Sequence, residues 1–441
     1  MDIQFGDDRL VFDGMRRGLY ADLPADLCAV LDGQKTDPSN PEIARWVATL
    51  NDWTISPAPE QPLTTNEERG PRFFTVYPAG ACNLACGYCY NDRGRFGGHG
   101  VMMSDETAEQ SLAYLKDHFS KTNWPQVQVT LLGGEPTTNP KVVNFLAREV
   151  LALNTQPNMP VIDLVIDSNG VAWDQTELFE ILRPHAKRVL VELSLDGLAE
   201  RHDAQRPRTN GGGSHDHVVA TAKRLQDLDI SVRIVAVAPP PFEFVTIGEE
   251  LLAQGFTDFR INQLEAYQFG TGEEIERGFR DWAQRYESYA KWTLRHKQAG
   301  LDFYSDLDQS RDKILRMLSA PVSPYACNAG RKLIGISAEG QIAPCDRFFD
   351  LDGYHLGSVA DPNKTNSAHW LEQLADDGHP MDGDGDCSRC FARWKCRGGC
   401  YAKQVRRPGG LGDIERKDCP FIRHRFAVDL WYTAKVSLMA S

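Results

Sequence analysis

Between Arg72 and Ile261 the chain alternates short apolar runs with amphipathic segments, and few architectures accept that rhythm. The runs are Phe73 to Val76, Val127 to Leu132, Val161 to Ile166, Val189 to Leu195, Val232 to Val237 and Asp258 to Ile261. A strand followed by an amphipathic helix returns to a parallel neighbour, so repetition of the unit builds a parallel sheet with helices on its outer face. Six such strands predict an α/β fold, a partial TIM-like (β/α)6 barrel. In barrels of this kind the chemistry sits at the carboxyl ends of the strands, so a motif directly after a strand is where function is sought.

At 441 residues the chain has room for two or three domains with ample core. Residues 1–56 read as a small α+β wing. A hairpin is expected from Arg9 to Phe12, a turn at Asp13-Gly14 and Gly18 to Ala21, followed by helices through Leu27 and Leu31 and from Ile43 to Leu50. Residues 57–71, with Pro57, Pro59 and Pro62, have linker composition. Residues 72–300 carry the βα repeat and end in a long helical stretch, Glu273 to His296; residues 301–441 are Cys-rich with weak periodicity, as if held by local ligation. A net charge of −13 argues against nucleic acid or an anionic membrane as the main partner. No uncharged apolar run approaches the ~18 residues of a membrane span. The acidic start, MDIQFGDDRLVF, is unlike a signal peptide, and the expected compartment is the cytoplasm.

In a reducing compartment the 11 cysteines become metal or redox candidates. Cys28 stands alone and reads as a small core hydrophobe. Cys82, Cys86 and Cys89 follow the first strand directly; seven more lie between Cys327 and Cys419, after a gap of more than two hundred residues. On a straight helix positions i and i+7 lie ~10 Å apart along the axis, too far for three sulfurs to grip one compact centre, and Gly87 disfavours a helix. A loop wrapped round a metal centre fits better. A closed structural zinc site would need a fourth ligand, whereas three thiolates on a four-iron cluster leave one iron open for a small molecule.

This run resembles the CxxxCxxC signature of the radical S-adenosylmethionine (SAM) superfamily, whose open iron chelates the amino and carboxylate groups of SAM. Further pieces match in order. Gly133-Gly134-Glu135-Pro136, about 45 residues after the cysteines, looks like the GGEP segment that binds the SAM amino group. Its glycines permit close backbone approach, and its carboxylate can receive an ammonium group. Asn169 in Ser168-Asn169-Gly170, and Ser194 and Asp196 in Ser194-Leu195-Asp196-Gly197, fall where the family holds the ribose and the methionine carboxylate; Tyr88 takes the aromatic position beside the adenine. The resemblance covers residues 72 to 265.

The tail reads Cys327, Gly340 after twelve residues, Cys345 after four more, Cys387-x2-Cys390-x5-Cys396-x3-Cys400, and Cys419 after another eighteen. By chemistry alone a pair of zinc ribbons is an open alternative. The spacing is similar to that of the SPASM extension, which in relatives carries two auxiliary iron–sulfur clusters. By that resemblance Cys327, Cys345 and Cys400 hold one cluster, and Cys387, Cys390, Cys396 and Cys419 the other. Together with the SAM-binding cluster this implies three 4Fe-4S clusters. Sulfatase maturases place another cysteine six residues before the first of the seven; here that position is Pro321. Asp346, directly after Cys345, reads either as a cap or ion-pair partner of Arg347 or, as in the sulfatase-maturing branch, as a general base. Asp382-Gly-Asp384-Gly-Asp386 is rejected as a calcium loop, because Cys387 and Arg393 stand where glycine and glutamate are required. The glycines at 211 to 213 lack the following Lys-Ser/Thr of a phosphate loop and read as a turn before a helix containing Val218 and Ala222.

The resemblance implies an oxidoreductase that cleaves SAM to methionine and a 5′-deoxyadenosyl radical, drawing electrons from a low-potential donor such as flavodoxin or ferredoxin. Its expected substrate is a ribosomally made precursor peptide or a protein, modified oxidatively by an intramolecular thioether or C–C/C–X cross-link. A sulfatase maturase making formylglycine, and a non-catalytic zinc or electron-transfer protein, are the alternatives. The wing loosely resembles a leader-peptide recognition element that adds a strand at a sheet edge; a plain structural cap fits its pattern as well.

Overall fold

The computed structural model of the chain describes residues 2–5, 8–13, 18–20, 70–89, 100–264, 273–319, 325–362, 367–376, 387 and 390–439. The expected wing helices, Cys28, Pro321 and the Asp382 to Asp386 run lie outside the described residues, as does most of the linker.

The six apolar runs become six consecutive parallel strands, paired in chain order: β4 (Phe73–Val76), β5 (Gln126–Leu131), β6 (Val161–Ser168), β7 (Val189–Ser194), β8 (Ser231–Ala238) and β9 (Phe259–Gln263). Alternation decides which way each side chain faces. Val127, Val129 and Leu131 of β5, and Ile162, Leu164 and Ile166 of β6, are buried beneath the helices. The residues between them, Gln128 and Thr130 on β5 and Asp163 and Asp167 on β6, point to the inner face of the arc. That inner face is polar and remains available for a ligand.

The sheet does not stop at β4. β10 (Leu333–Ile336) pairs parallel with β4, and β11 (Gln341–Ala343) and β12 (Gly357–Ser358) continue antiparallel beyond it, giving nine strands. The Cys-rich region is therefore partly an extension of the barrel sheet, and not a region held by ligation alone. Strands of 4, 3 and 2 residues are too short to print a period on the sequence.

The helices are α1 (Asp105–Lys121), α2 (Pro140–Ala152), α3 (Leu178–Leu182), α4 (Ala199–Gln205), α5 (His215–Asp227), α6 (Phe244–Ala253), α7 (Glu273–Gln298), α8 (Asp306–Ser319), α9 (Ser367–Asp376), α10 (Arg393–Cys396), α11 (Tyr401–Val405) and α12 (Cys419–Met439). Among the described residues no helix is long and apolar enough to cross a membrane. The expected helices at Glu273 to His296 and around Val218 and Ala222 are α7 and α5. α12 packs across α7 and α8, with an almost continuously buried stretch from Phe426 to Ala434. Polar bonds fix its register: Tyr286 Oη donates to Asp429 (2.9 Å), Tyr432 Oη to Asp308 (2.8 Å), and Arg425 pairs with Asp306 (3.3 Å).

The wing holds three strands where two were expected: β1 (Asp2–Phe5), β2 (Asp8–Asp13) and β3 (Gly18–Tyr20), antiparallel in that order. Four residues of β1 alternate too briefly to stand out as a strand before their pairing is known. Phe12 of β2 is fully buried and meets Phe426 of α12 edge-on at 5.5 Å, and Phe426 stacks on Phe391 at 5.9 Å. One aromatic stack thus seats the wing on the C-terminal helix. Phe426→Ala should cost about 3–5 kcal/mol by leaving a cavity at that junction. A lowered thermal midpoint together with faster proteolysis of the first 20 residues is the expected outcome.

Candidate active site

The loop from Ala79 to Cys89 crosses the carboxyl ends of the strands without forming a helix, as Gly87 and the thiol spacing predict. Backbone bonds pin it from two sides. Gly134 N donates to Ala79 O (2.9 Å) and Glu135 N to Ala81 O (2.8 Å); Ala85 N donates to Pro207 O (2.8 Å) and Thr209 N to Asn83 O (3.0 Å). The first pair explains the two glycines. A Cβ at position 133 would lie 2.2 Å from Ala79 O, and one at 134 would lie 2.3 Å from Ala81 O. What approaches so closely is the cysteine loop itself, where the sequence suggested a ligand.

Glu135 is also committed to protein. Its carboxylate accepts from Thr137 N (3.1 Å), Thr137 Oγ1 (2.7 Å), Ser168 Oγ (2.8 Å) and Asn169 N (2.6 Å). Burial raises its pKa and these donors pull it back. It ties the ends of β5 and β6 together, where an open carboxylate was expected, while Pro136 starts the short turn Pro136–Thr138. Asn169 then turns to the loop, its Nδ2 donating to Asn83 Oδ1 (2.7 Å) and lying 3.6 Å from Cys82 Sγ. Leu84 N also donates to Cys82 Sγ (3.4 Å). Burial pushes the Cys82 thiol up to about 12.

After β7, whose last residue Ser194 is half-buried on the inner face, Asp196 is fully buried. Arg206 grips it through Nε (2.8 Å) and Nη2 (3.1 Å), Val237 N donates to it (2.9 Å), and Tyr88 Oη donates to its Oδ2. The Arg206 guanidinium also stands 5.3 Å from the Tyr88 ring centroid. His202 completes the site as a neutral imidazole: Nδ1 accepts from Asp196 N (3.1 Å), leaving Nε2 to donate to Ser214 Oγ (2.9 Å). Burial, reinforced by Arg206, lowers its pKa to about 4. Sequence reasoning missed Arg206 and His202, because no motif links them to Asp196; the single short helix α4 folds them back over it.

The tail thiols gather in two groups. Segments 326–330, 343–346 and 400–401 meet through Gly330 N to Pro344 O (2.8 Å) and Tyr401 Oη to Ala326 N (2.9 Å). There burial raises the pKa values of Cys327 and Cys345, and the nearby Cys400 adds to both shifts. Cys387, Cys390, Cys396 and Cys419 line one cavity with Arg393, Arg397 and Arg423. Arg416 Nη1 donates to Cys387 Sγ (3.5 Å), and burial lifts the Cys396 thiol to about 11. Among the described residues no three Cys, His, Asp or Glu side chains converge as ligands of a single metal ion do. Buried thiols with raised pKa values must give up protons on binding metal, and nearby N–H groups and guanidiniums suit the resulting thiolates.

Asp346 stands beside the strand ends. Tyr77, the residue after β4, donates its hydroxyl to Asp346 Oδ2 (3.4 Å), and burial raises the carboxyl pKa while Arg347 lowers it.

A thiol loop over the carboxyl ends of an open parallel arc, backed by a Gly-Gly-Glu turn, defines a class of SAM-dependent iron–sulfur proteins. Residues 76–247 match the radical SAM superfamily and form a domain of that kind. It is 26% identical over 356 residues, 73% of this chain and 70% of the relative, to the antilisterial bacteriocin subtilosin biosynthesis protein AlbA of Bacillus subtilis. It is 29% identical over 192 residues to the serine-type anaerobic sulfatase-maturating enzyme of Bacteroides thetaiotaomicron, 41% of this chain and 44% of that one. In fold it matches the solved structure of native anSMEcpe with bound AdoMet and Cp18Cys peptide, with a TM-score of 0.65 and 18% identity over 83% of this chain and 99% of that chain.

Two substitutions test the geometry. Gly134→Ala should displace the cysteine loop and abolish the spectral response of the reconstituted protein to SAM. Arg206→Leu, which leaves Asp196 buried without its partner, should cost about 3–5 kcal/mol of stability. Adding Asp196→Leu should recover part of that loss in thermal denaturation, since the two residues act as one unit.

Proposed function

We propose that the chain is a SPASM-type radical SAM oxidoreductase that modifies a ribosomally made peptide by closing an intramolecular thioether or C–C/C–X cross-link. The observation that carries this reading is the gathering of ten cysteines into three groups, the first after β4, the second beside β10 and β11, and the third round a cavity of the C-terminal region. Cys82, Cys86 and Cys89 would hold the SAM-binding cluster. Cys327, Cys345 and Cys400 would hold one auxiliary cluster, and Cys387, Cys390, Cys396 and Cys419 the other, each of the 4Fe-4S type. When bound and reduced, the first cluster supplies the electron that splits SAM into methionine and a hydrogen-abstracting 5′-deoxyadenosyl radical. The protein's own share is orientation and exclusion of water. Asn169 and Glu135 hold the cysteine loop over the strand ends, Tyr88, Asp196 and Arg206 wall one side of the SAM position, and the polar inner face receives the substrate.

The relative named for subtilosin biosynthesis and the solved neighbour holding a peptide support a peptide substrate. A second reading, formylglycine formation in a sulfatase, is favoured by Asp346 beside Tyr77 and by the sulfatase-maturating relative. Absence of a cysteine at Pro321 weighs against it. We also infer a cytoplasmic enzyme served by flavodoxin or ferredoxin, with domains at 1–56, 72–300 and 301–441. The wing, whose β1 and β3 are sheet edges, would bind the leader of the precursor by strand addition.

Anaerobically reconstituted enzyme should form 5′-deoxyadenosine from SAM under dithionite, and Cys82→Ala should reduce this to background; zinc in place of iron and sulfide would refute the reading. Cys390→Ala should lower cross-linked product by more than about 100-fold, beyond the ~10–100-fold that loss of a residue supporting a metal ligand costs. Mass spectrometry of candidate precursor and sulfatase peptides incubated with the enzyme distinguishes a cross-link, seen as a loss of two hydrogens in a precursor, from an aldehyde on a sulfatase peptide. Deleting residues 1–56 should abolish precursor binding in a pull-down while slow SAM cleavage continues.

A further inference from the structure

The inner face of the barrel carries a row of charges that the SAM position does not use. In register, Asp167 of β6 lies beside Glu192 of β7, and Glu192 beside Arg233 of β8. Glu192 is spoken for: it accepts from Arg233 Nη1 (3.3 Å) and from Arg260 Nη2 of β9 (3.2 Å). Arg233 is held further by Asp258, at 2.7 and 3.1 Å. Asp167 is left over. Its carboxyl has no hydrogen-bond partner among the described residues, yet the residue is half-buried and its oxygens are not sealed from the interior. It immediately precedes Ser168 and Asn169, which reach Glu135 and Cys82, so it lies on the inner face next to the residues that hold the cysteine loop.

We propose that Asp167 is the catalytic base of the bond-forming step, taking the proton that the substrate's attacking X–H group loses as X bonds to the substrate carbon radical. The inference rests on the functional reading above. Hydrogen transfer to the 5′-deoxyadenosyl radical breaks one C–H bond. In the next step the X–H bond breaks and the X–C bond forms. The proton goes to the Asp167 carboxylate, and the surplus electron goes to an oxidised iron–sulfur cluster at one of the tail thiol groups.

The surroundings suit the task. Four charged groups face Asp167: Glu192 from β7, Arg260 from β9, Glu135 from the turn after β5, and Arg206 from the end of α4. Burial and the negative charge of Glu192 raise its pKa to about 7, against the pull of the two arginines. A base with a pKa near the working pH combines an ionised fraction with real proton affinity. Asp346, another interior carboxyl near the strand ends, already accepts a hydroxyl from Tyr77. Asp163 lies four residues, ~13 Å, back along β6, beside Gln126 and Arg188 at the opposite end of the strands.

The test uses reconstituted holoenzyme and a precursor peptide that the wild-type enzyme cross-links. In Asp167→Asn the ratio of cross-linked product to 5′-deoxyadenosine should fall at least about 10²-fold, the usual share of a general base, and Asp167→Glu should restore part of it. In the wild type that ratio should rise with pH through about 7, as the carboxylate ionises, and the rise should vanish in Asp167→Asn. A readout independent of turnover is infrared difference titration without peptide: a protonated-carboxyl band lost with a midpoint near 7 should be absent in Asp167→Asn and shifted to lower pH in Glu192→Gln. An unchanged band in Asp167→Asn, or a wild-type product ratio in that variant, overturns the assignment of the base alone. A wild-type enzyme that forms no 5′-deoxyadenosine overturns the functional reading and the step with it.

Discussion

The arrangement depends on one close contact, that between the Gly133-Gly134 turn after β5 and the backbone of Ala79 to Ala81 after β4. Oxygens 2.2 and 2.3 Å from where a Cβ would stand leave no room for any side chain. Because the turn comes that close, the amides of Gly134 and Glu135 bond the cysteine loop directly. Glu135, drawn in beneath it, then reaches Ser168 and Asn169 at the end of β6. Three consecutive strand ends are locked through one buried carboxylate, and Asn169 carries the constraint back to Asn83 beside Cys82. A loop of three thiols has no secondary structure of its own to hold its shape. Here its shape is imposed by neighbours that are themselves fixed by sheet register.

Cys82, Cys345 and Cys396 are buried enough to resist ionisation. Without a cation, Cys82 would remain a neutral thiol well beyond physiological pH. The protein thus leaves the metal to supply the stabilisation of charge, and binding must displace protons, so uptake strengthens as pH rises. The same logic places Arg416 and Arg423 against Cys387 and Cys390, near the surface end of the tail, where a guanidinium offsets thiolate charge that solvent only partly screens.

Much of this was legible in the sequence, and the reason is periodicity. Five of the six barrel strands have five residues or more and are apolar on the helix-facing side, and β4, with four, is marked by the cysteine motif that follows it; the motifs are local and follow strands directly. What was illegible is what pairing supplies. β1, β10, β11 and β12 are strands of two to four residues whose hydrogen bonds come from partners far along the chain. The contacts of Glu135 and the two glycines with the cysteine loop and β6 were illegible for a related reason: sequence reveals that backbone must come close to something, but not to what. Arg206 and His202 were invisible because ion pairing with Asp196 leaves no spacing rule.

The inner face raises a question of energetics that its polarity answers. A parallel barrel interior is ordinarily filled by branched apolar side chains, which exclude water and stabilise the sheet. Here the corresponding row holds Asp167, Glu192, Arg233 and Arg260, which cost desolvation energy unless paired. Two arginines on Glu192, and Asp258 on Arg233, recover most of that cost through charge-assisted bonds. A face built only for stability would have no use for such groups, and would leave no carboxyl without a partner. Among the described residues Asp167 is the carboxyl of this row left without a hydrogen-bond partner, as expected of an interior shaped for an occupant that brings its own proton.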